Sequence, residues 1–159
     1  MHTKKGELFT ELVLEVFKLN GLLLSEGDRL AGNHNLSSAR WKVLGAVAIN
    51  ESPMTVAQIG RHMGQARQSV QRIANEMTEA GYFNWVENTN DKRAMLLKLT
   101  AKGKRVYKQL ESEQMPWANG AANGLSKEEL DSALNVLRQL SDYFGASSAE
   151  VTSSKEKRS

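Results

Sequence analysis

The sequence predicts a mainly α fold with a small β-hairpin, and three observations carry that prediction. Apolar residues recur at helical spacing along most of the 159 residues. The period shortens to two only between Phe83 and Leu99. Glycines at 64 and 81 and a turn cluster at Asn88–Asp91 cut the middle of the chain into short pieces.

The elements follow in order. Leu8 to Leu24 carries apolar residues on more than one stripe, so a helix there must be covered on several sides. In a chain this small the second cover is expected to be another subunit. Gly27, Gly32, Asn33 and Asn35 then read as a turn. Ser37 reads as the N-cap of a helix with Trp41, Leu44, Val47 and Ala48 inward, ended by Glu51-Ser52-Pro53. Thr55 with Gln58 forms a capping box that opens a short helix containing Val56, Ile59 and Met63. Gly64 breaks it. A second helix is expected from about Ala66 to Ala80, with Val70, Ile73, Ala74 and Met77 inward and Gly81 at its left-handed end.

Phe83 to Glu87 is strand-like, and Met95, Leu97 and Leu99 alternate with their neighbours as a second strand would. Thr100 caps a helix expected over Ala101–Met115, stopped by Pro116 and a Gly/Asn-rich connector at 119–124. Ser126 and Glu129 form another capping box, opening a helix to about Phe144 with Leu130, Leu134, Leu137 and Leu140 on one face. From Gly145 the composition predicts a disordered tail.

Composition narrows function. The chain has no cysteine, which excludes disulfides, thiolate metal sites and thiol redox switching, and makes the cytoplasm the expected compartment. Glu7, Glu11 and Glu15 interrupt the first apolar stretch, so no membrane span or signal peptide is expected. His2, His34 and His62 lack metal-ligand spacing. Glu128, Glu129 and Asp131 read as first-turn carboxylates that complement a helix dipole. No phosphate loop or nucleophile motif is present, so neither an enzyme nor a cofactor is expected. The net charge is only +3, but residues 55–105 carry nine basic and four acidic side chains, leaving the remainder at −2. A basic middle with mildly acidic flanks outlines a polyanion-binding segment.

The two short helices joined at Gly64 match a helix-turn-helix, whose second helix enters the DNA major groove. Its exposed side would carry Arg67, Gln68, Ser69, Gln71, Arg72 and Asn75, types that suit base edges. The hairpin turn places Asp91, Lys92 and Arg93 at a projecting tip, where an arginine can enter a narrow minor groove. Asp91 could pair with a neighbouring arginine and hold its fork. A solvated polar helix and an ordinary charged hairpin are the plain alternatives.

The run Asp91-Lys92-Arg93 through Leu99-Thr100-Ala101-Lys102-Gly103 resembles the wing signature of the MarR (multiple antibiotic resistance regulator) family, D-x-R followed by an apolar strand and L-T-x-x-G. Leu36–Leu44, Thr55–Ile59 and Ser69–Arg72 resemble the family's second helix and its two DNA-binding helices, so the likeness covers about residues 8–144. It implies a winged helix-turn-helix domain plus a helical dimerisation domain. The implied divisions are 1–34 (N-terminal dimerisation helix), 35–103 (DNA-binding domain), 104–144 (C-terminal dimerisation helices) and the tail 145–159. It further implies a homodimer on double-stranded DNA, with Thr55 and the residues just named at the DNA and Arg93 at the wing tip. A small-molecule effector is implied near His34 and Trp41. The expected function is a sequence-specific transcriptional regulator, a repressor released by its effector. A winged-helix module that docks protein, and an architectural DNA binder with little sequence preference, stay open beside it.

Overall fold

The computed structural model describes residues 3–50 and 52–156, with side-chain environments through residue 146; His2 and Glu51, named above, lie outside them. The chain divides into two compact units, Met1–Pro116 and Trp117–Ser159.

In the first unit, α1 (Lys4–Gly32) is longer than the apolar stretch that announced it. Gly27 does not turn the chain. It lies buried inside the helix, and a Cβ there would sit 2.8 Å from the Ser38 Cβ. Asp28 beside it accepts the Ser38 backbone N–H at 2.6 Å. The missing side chain at 27 thus lets α1 close on the start of α2 (Ser38–Ile49), whose N-cap is Ser37 as expected. The turn proper falls at residues 33–37, with Asn35 in the left-handed region at φ 55°.

A strand the sequence did not announce follows. β1 (Met54–Thr55) is two residues long. The Thr55/Gln58 capping box then starts α3 (Val56–Met63), which Gly64 ends at φ 61°. α4 (Arg67–Glu79) begins at Ala66 without a side-chain cap. β2 (Phe83–Val86) and β3 (Leu96–Leu99) form the hairpin. β1 adds to its far side, giving an antiparallel sheet in the order β1-β3-β2 with Leu97 opposite both Met54 and Trp85. The core gathers under this sheet: Phe83, Leu44, Ile59, Met77, Leu97, Leu110, Val43 and Val70 are fully buried.

α5 (Ala101–Ala122) corrects two expectations at once. It runs straight through Pro116 and most of the supposed connector, leaving only residues 123–126 as the turn. Lys, Glu, Gln and Ala flank the proline on the helix, and their propensity outweighs one missing hydrogen bond. Pro116 is also where the first unit ends.

In the second unit, Ser126 and Glu129 form the expected capping box at 3.1 and 2.8 Å. They open α6 (Lys127–Glu156), which continues past Phe144 into the segment expected to be a disordered tail. No proline interrupts residues 145–156, so nothing there stops a helix already under way. α6 exposes Leu130, Leu134, Val136, Leu137 and Phe144. In the first unit α1 exposes Leu8, Phe9, Leu12, Leu14, Phe17, Leu22 and others, with Phe17 at 69%. Among the described residues no helix is long and apolar enough to cross a membrane.

Candidate nucleic-acid interface

The site is built by three pieces locked together behind it. α3 and α4 pack through Ile59, Val70, Ile73 and Met77. Gly64 at φ 61° makes the reversal between them, and the Gln65 N–H bonds to the Gly60 carbonyl at 2.9 Å. Behind α4, the Thr100 hydroxyl donates to the Gly81 carbonyl at 2.7 Å while accepting the Gly103 N–H at 3.0 Å. A Cβ at Gly103 would lie 2.3 Å from the Tyr82 carbonyl oxygen. The L-T-x-x-G pattern therefore has a mechanical reason: it seats the start of α5 against the chain leaving α4. Lys102 adds to the join, donating to the Ala80 carbonyl at 2.6 Å and lying 4.4 Å from the Tyr82 ring centroid.

In front, α3, α4 and the hairpin enclose a concave surface of about 590 Å³. Six of the residues singled out from sequence line it: Thr55, Arg67, Gln71, Asn75, Asp91 and Arg93. Arg67, Gln71 and Asn75 stand four residues apart and form one stripe of α4. The Gln71 Nε2 donates to the Asn75 Oδ1 at 3.0 Å. That bond leaves the Gln71 carbonyl oxygen and the Asn75 amide hydrogens free to meet a partner. Thr55 contributes less than its position implies, because its hydroxyl and N–H are both held by Gln58 in the cap.

The remaining candidates lie outside this surface. Gln68, Ser69 and Lys92 are exposed and line none of it. Arg72 faces the other flank of α4, where Glu76 holds it at 2.7 Å. In the hairpin turn Asp91 does not grip an arginine fork. Its Oδ1 accepts the Arg93 backbone N–H at 3.0 Å, so it shapes the turn and leaves the Arg93 guanidinium free of it. Asn88 supports the same turn, donating to the Ala94 carbonyl at 3.0 Å.

Sequence reasoning missed Gln58, Arg61, Trp85 and Met95, which also line the surface. Arg61 had a signal, a cation in the last turn of the first short helix. Trp85 and Met95 read only as strand residues; Met95 in fact lies just before β3 and is 48% exposed. His34 and Trp41, the effector candidates, do not lie here. Trp41 packs against the core. His34 pairs with Glu113 of α5 at 3.0 Å. Among the described residues no group of His, Asp and Glu could hold a metal ion.

A helix-turn-helix with a hairpin projecting beside its second helix is a winged-helix DNA-binding fold. Comparison with known proteins agrees. The MarR family model matches residues 34–94. An uncharacterised protein of Mycobacterium tuberculosis strain H37Rv is 32% identical over 129 residues, covering 81% of this chain and 89% of that one. The transcriptional activatory protein BadR of Rhodopseudomonas palustris is 26% identical over 108 residues, 67% of this chain and 62% of BadR. Among solved structures, a MarR protein from Peptoclostridium difficile superposes with a TM-score of 0.78 at 18% identity, over 88% of this chain and 91% of that one. NadR in complex with 4-hydroxyphenylacetate superposes with a TM-score of 0.72 at 20% identity, over 80% and 90%. The chain belongs to the MarR family, and it is a DNA-binding transcription regulator, not an enzyme.

Proposed function

We propose that two copies of this chain bind a near-palindromic DNA site, each offering α4 to one major groove and its hairpin to the flanking minor groove. One observation carries the reading: the Arg67–Gln71–Asn75 stripe and Arg93 line a single concave surface. Arg67 suits guanine, and the Gln71–Asn75 pair suits adenine. Arg93, on a turn fixed by Asp91, suits backbone or a narrow minor groove. Gln68, Ser69 and Lys92 supply phosphate contacts around it, and Thr55 starts the supporting helix. The apolar side chains that α1 and α6 each leave exposed support a homodimer, since large apolar residues grouped along a helix mark interaction surfaces.

The regulator works as a repressor in the cytoplasm, released by a small molecule. Support for a ligand comes from structural neighbours solved with one, NadR with 4-hydroxyphenylacetate and CouR with p-coumaroyl-CoA. An effector that engages His34 must break or bridge its pair with Glu113, so it acts on α5 directly.

The test is selection of sites from a random duplex library by the purified protein. The expected product is a pseudo-palindrome whose half-sites lie about one helical turn, roughly 34 Å, apart. Arg67→Ala relaxes the selected sequence at one position, costing about 1–3 kcal/mol there. Arg93→Ala weakens binding more evenly. Salt-sensitive binding without a motif points to an architectural role, and no DNA binding at all points to a protein-docking module.

A further inference from the structure

Glu76 is an acidic side chain on a helix read as DNA-facing, and it is half-buried. Both its oxygens are used. Oε2 accepts from Arg40 Nη2 of α2 at 3.0 Å, and Oε1 accepts from Arg72 Nη1 one turn back at 2.7 Å. The carboxylate is the most covered of the three, at 34% side-chain exposure against 40% for Arg40 and 68% for Arg72. Neither arginine lines the concave surface. These hydrogen bonds, Arg40's first and then Arg72's, hold the Glu76 carboxyl below its usual range, so it stays ionised.

We propose that Glu76 is a positioning residue that preassembles Arg40 and Arg72 into a two-pronged grip on the DNA backbone, on the flank of α4 away from the base-reading stripe. This rests on the reading that α4 docks duplex DNA. Each guanidinium has five N–H donors and gives one to Glu76, so most remain for phosphate oxygens. The bound ends of both forks make them poor bidentate readers of guanine but good ligands for phosphate. The carboxylate offsets the repulsion of two like charges and removes rotamer freedom that each long side chain would otherwise lose on binding. One cation from each of two helices also fixes how α2 and α4 together meet the backbone.

The experiment titrates a fluorescein-labelled duplex of randomised sequence against wild type, Glu76→Gln, Arg72→Gln and the double variant across a range of salt. Arg72→Gln, at an exposed position, makes the log–log salt slope shallower by about 0.9 per subunit. Glu76→Gln weakens binding roughly three- to tenfold although it removes a negative charge, because both arginines lose their placement. In the Glu76→Gln background, Arg72→Gln costs less than half of what it costs in wild type. Tighter binding by Glu76→Gln overturns the proposal and makes Glu76 a brake on DNA binding. An equal cost of Arg72→Gln in both backgrounds overturns it as well. So does a lower melting temperature with unchanged binding, which reduces Glu76 to a tie between helices. Failure of wild type to bind any duplex overturns the DNA-docking reading and this inference together; the other results leave that reading standing.

Discussion

At the scale of single residues, the contacts that matter most are those where the backbone itself has no room. Gly103 is the clearest, with the Tyr82 carbonyl oxygen where a Cβ would go. Gly103→Ala is expected to cost about 1–3 kcal/mol or more, read as a loss of denaturant midpoint. Asp28 makes a different kind of contact. The Ser38 N–H and hydroxyl, then Lys42, hold its carboxyl below the ordinary range. A depressed folded-state pKa adds stability that is present above the ordinary carboxylate range and lost as pH falls through the folded value. Asp28→Asn is therefore expected to melt below wild type at neutral pH, with the gap closing below about pH 4. Thermal melts at both pH values check it, and a constant gap contradicts it. Thr100 and Gly103 were legible in the sequence as a pattern, and Thr55, Ser37 and Ser126 as caps, because caps are local chemistry. Asp28, Arg40 and Glu76 were not, because each acts on a partner that only folding brings near.

At the scale of elements, the inward faces of the helices and the hairpin were legible because burial imposes a period. β1 was not: two residues cannot show a period, and Met54–Thr55 becomes a strand only because Leu96 and Leu97 lie beside it. The end of α5 was misread because a proline argues locally for a stop, while the helix formers around it carry the helix on. Replacing Pro116 with alanine is expected to raise stability, by up to about 3 kcal/mol. A calorimetric scan decides, and a fall in melting temperature contradicts the expectation. The candidate site divides along the same line. The Arg67, Gln71 and Asn75 stripe follows from helical geometry alone, whereas the arrival of Arg40 at Glu76 depends on how α2 packs.

At the scale of the whole molecule, the exposed leucines and phenylalanines of α1 are the largest unexplained feature of a lone chain. Burying even one such side chain contributes about 1.5–3 kcal/mol, so association is expected to dominate stability. Phe17→Glu is expected to shift sedimentation from dimer to monomer and to abolish preference for a two-half-site duplex over a single half-site. A dimer that survives would place the interface elsewhere. The joins behind α4 bear on what such association can control. Thr100 bonded to Gly81, Lys102 to Ala80, and Gly103 pressed on Tyr82 leave no slack between the end of α4 and the first turn of α5. The reading helix and that first turn are one lever, so a shift of either carries the other with it.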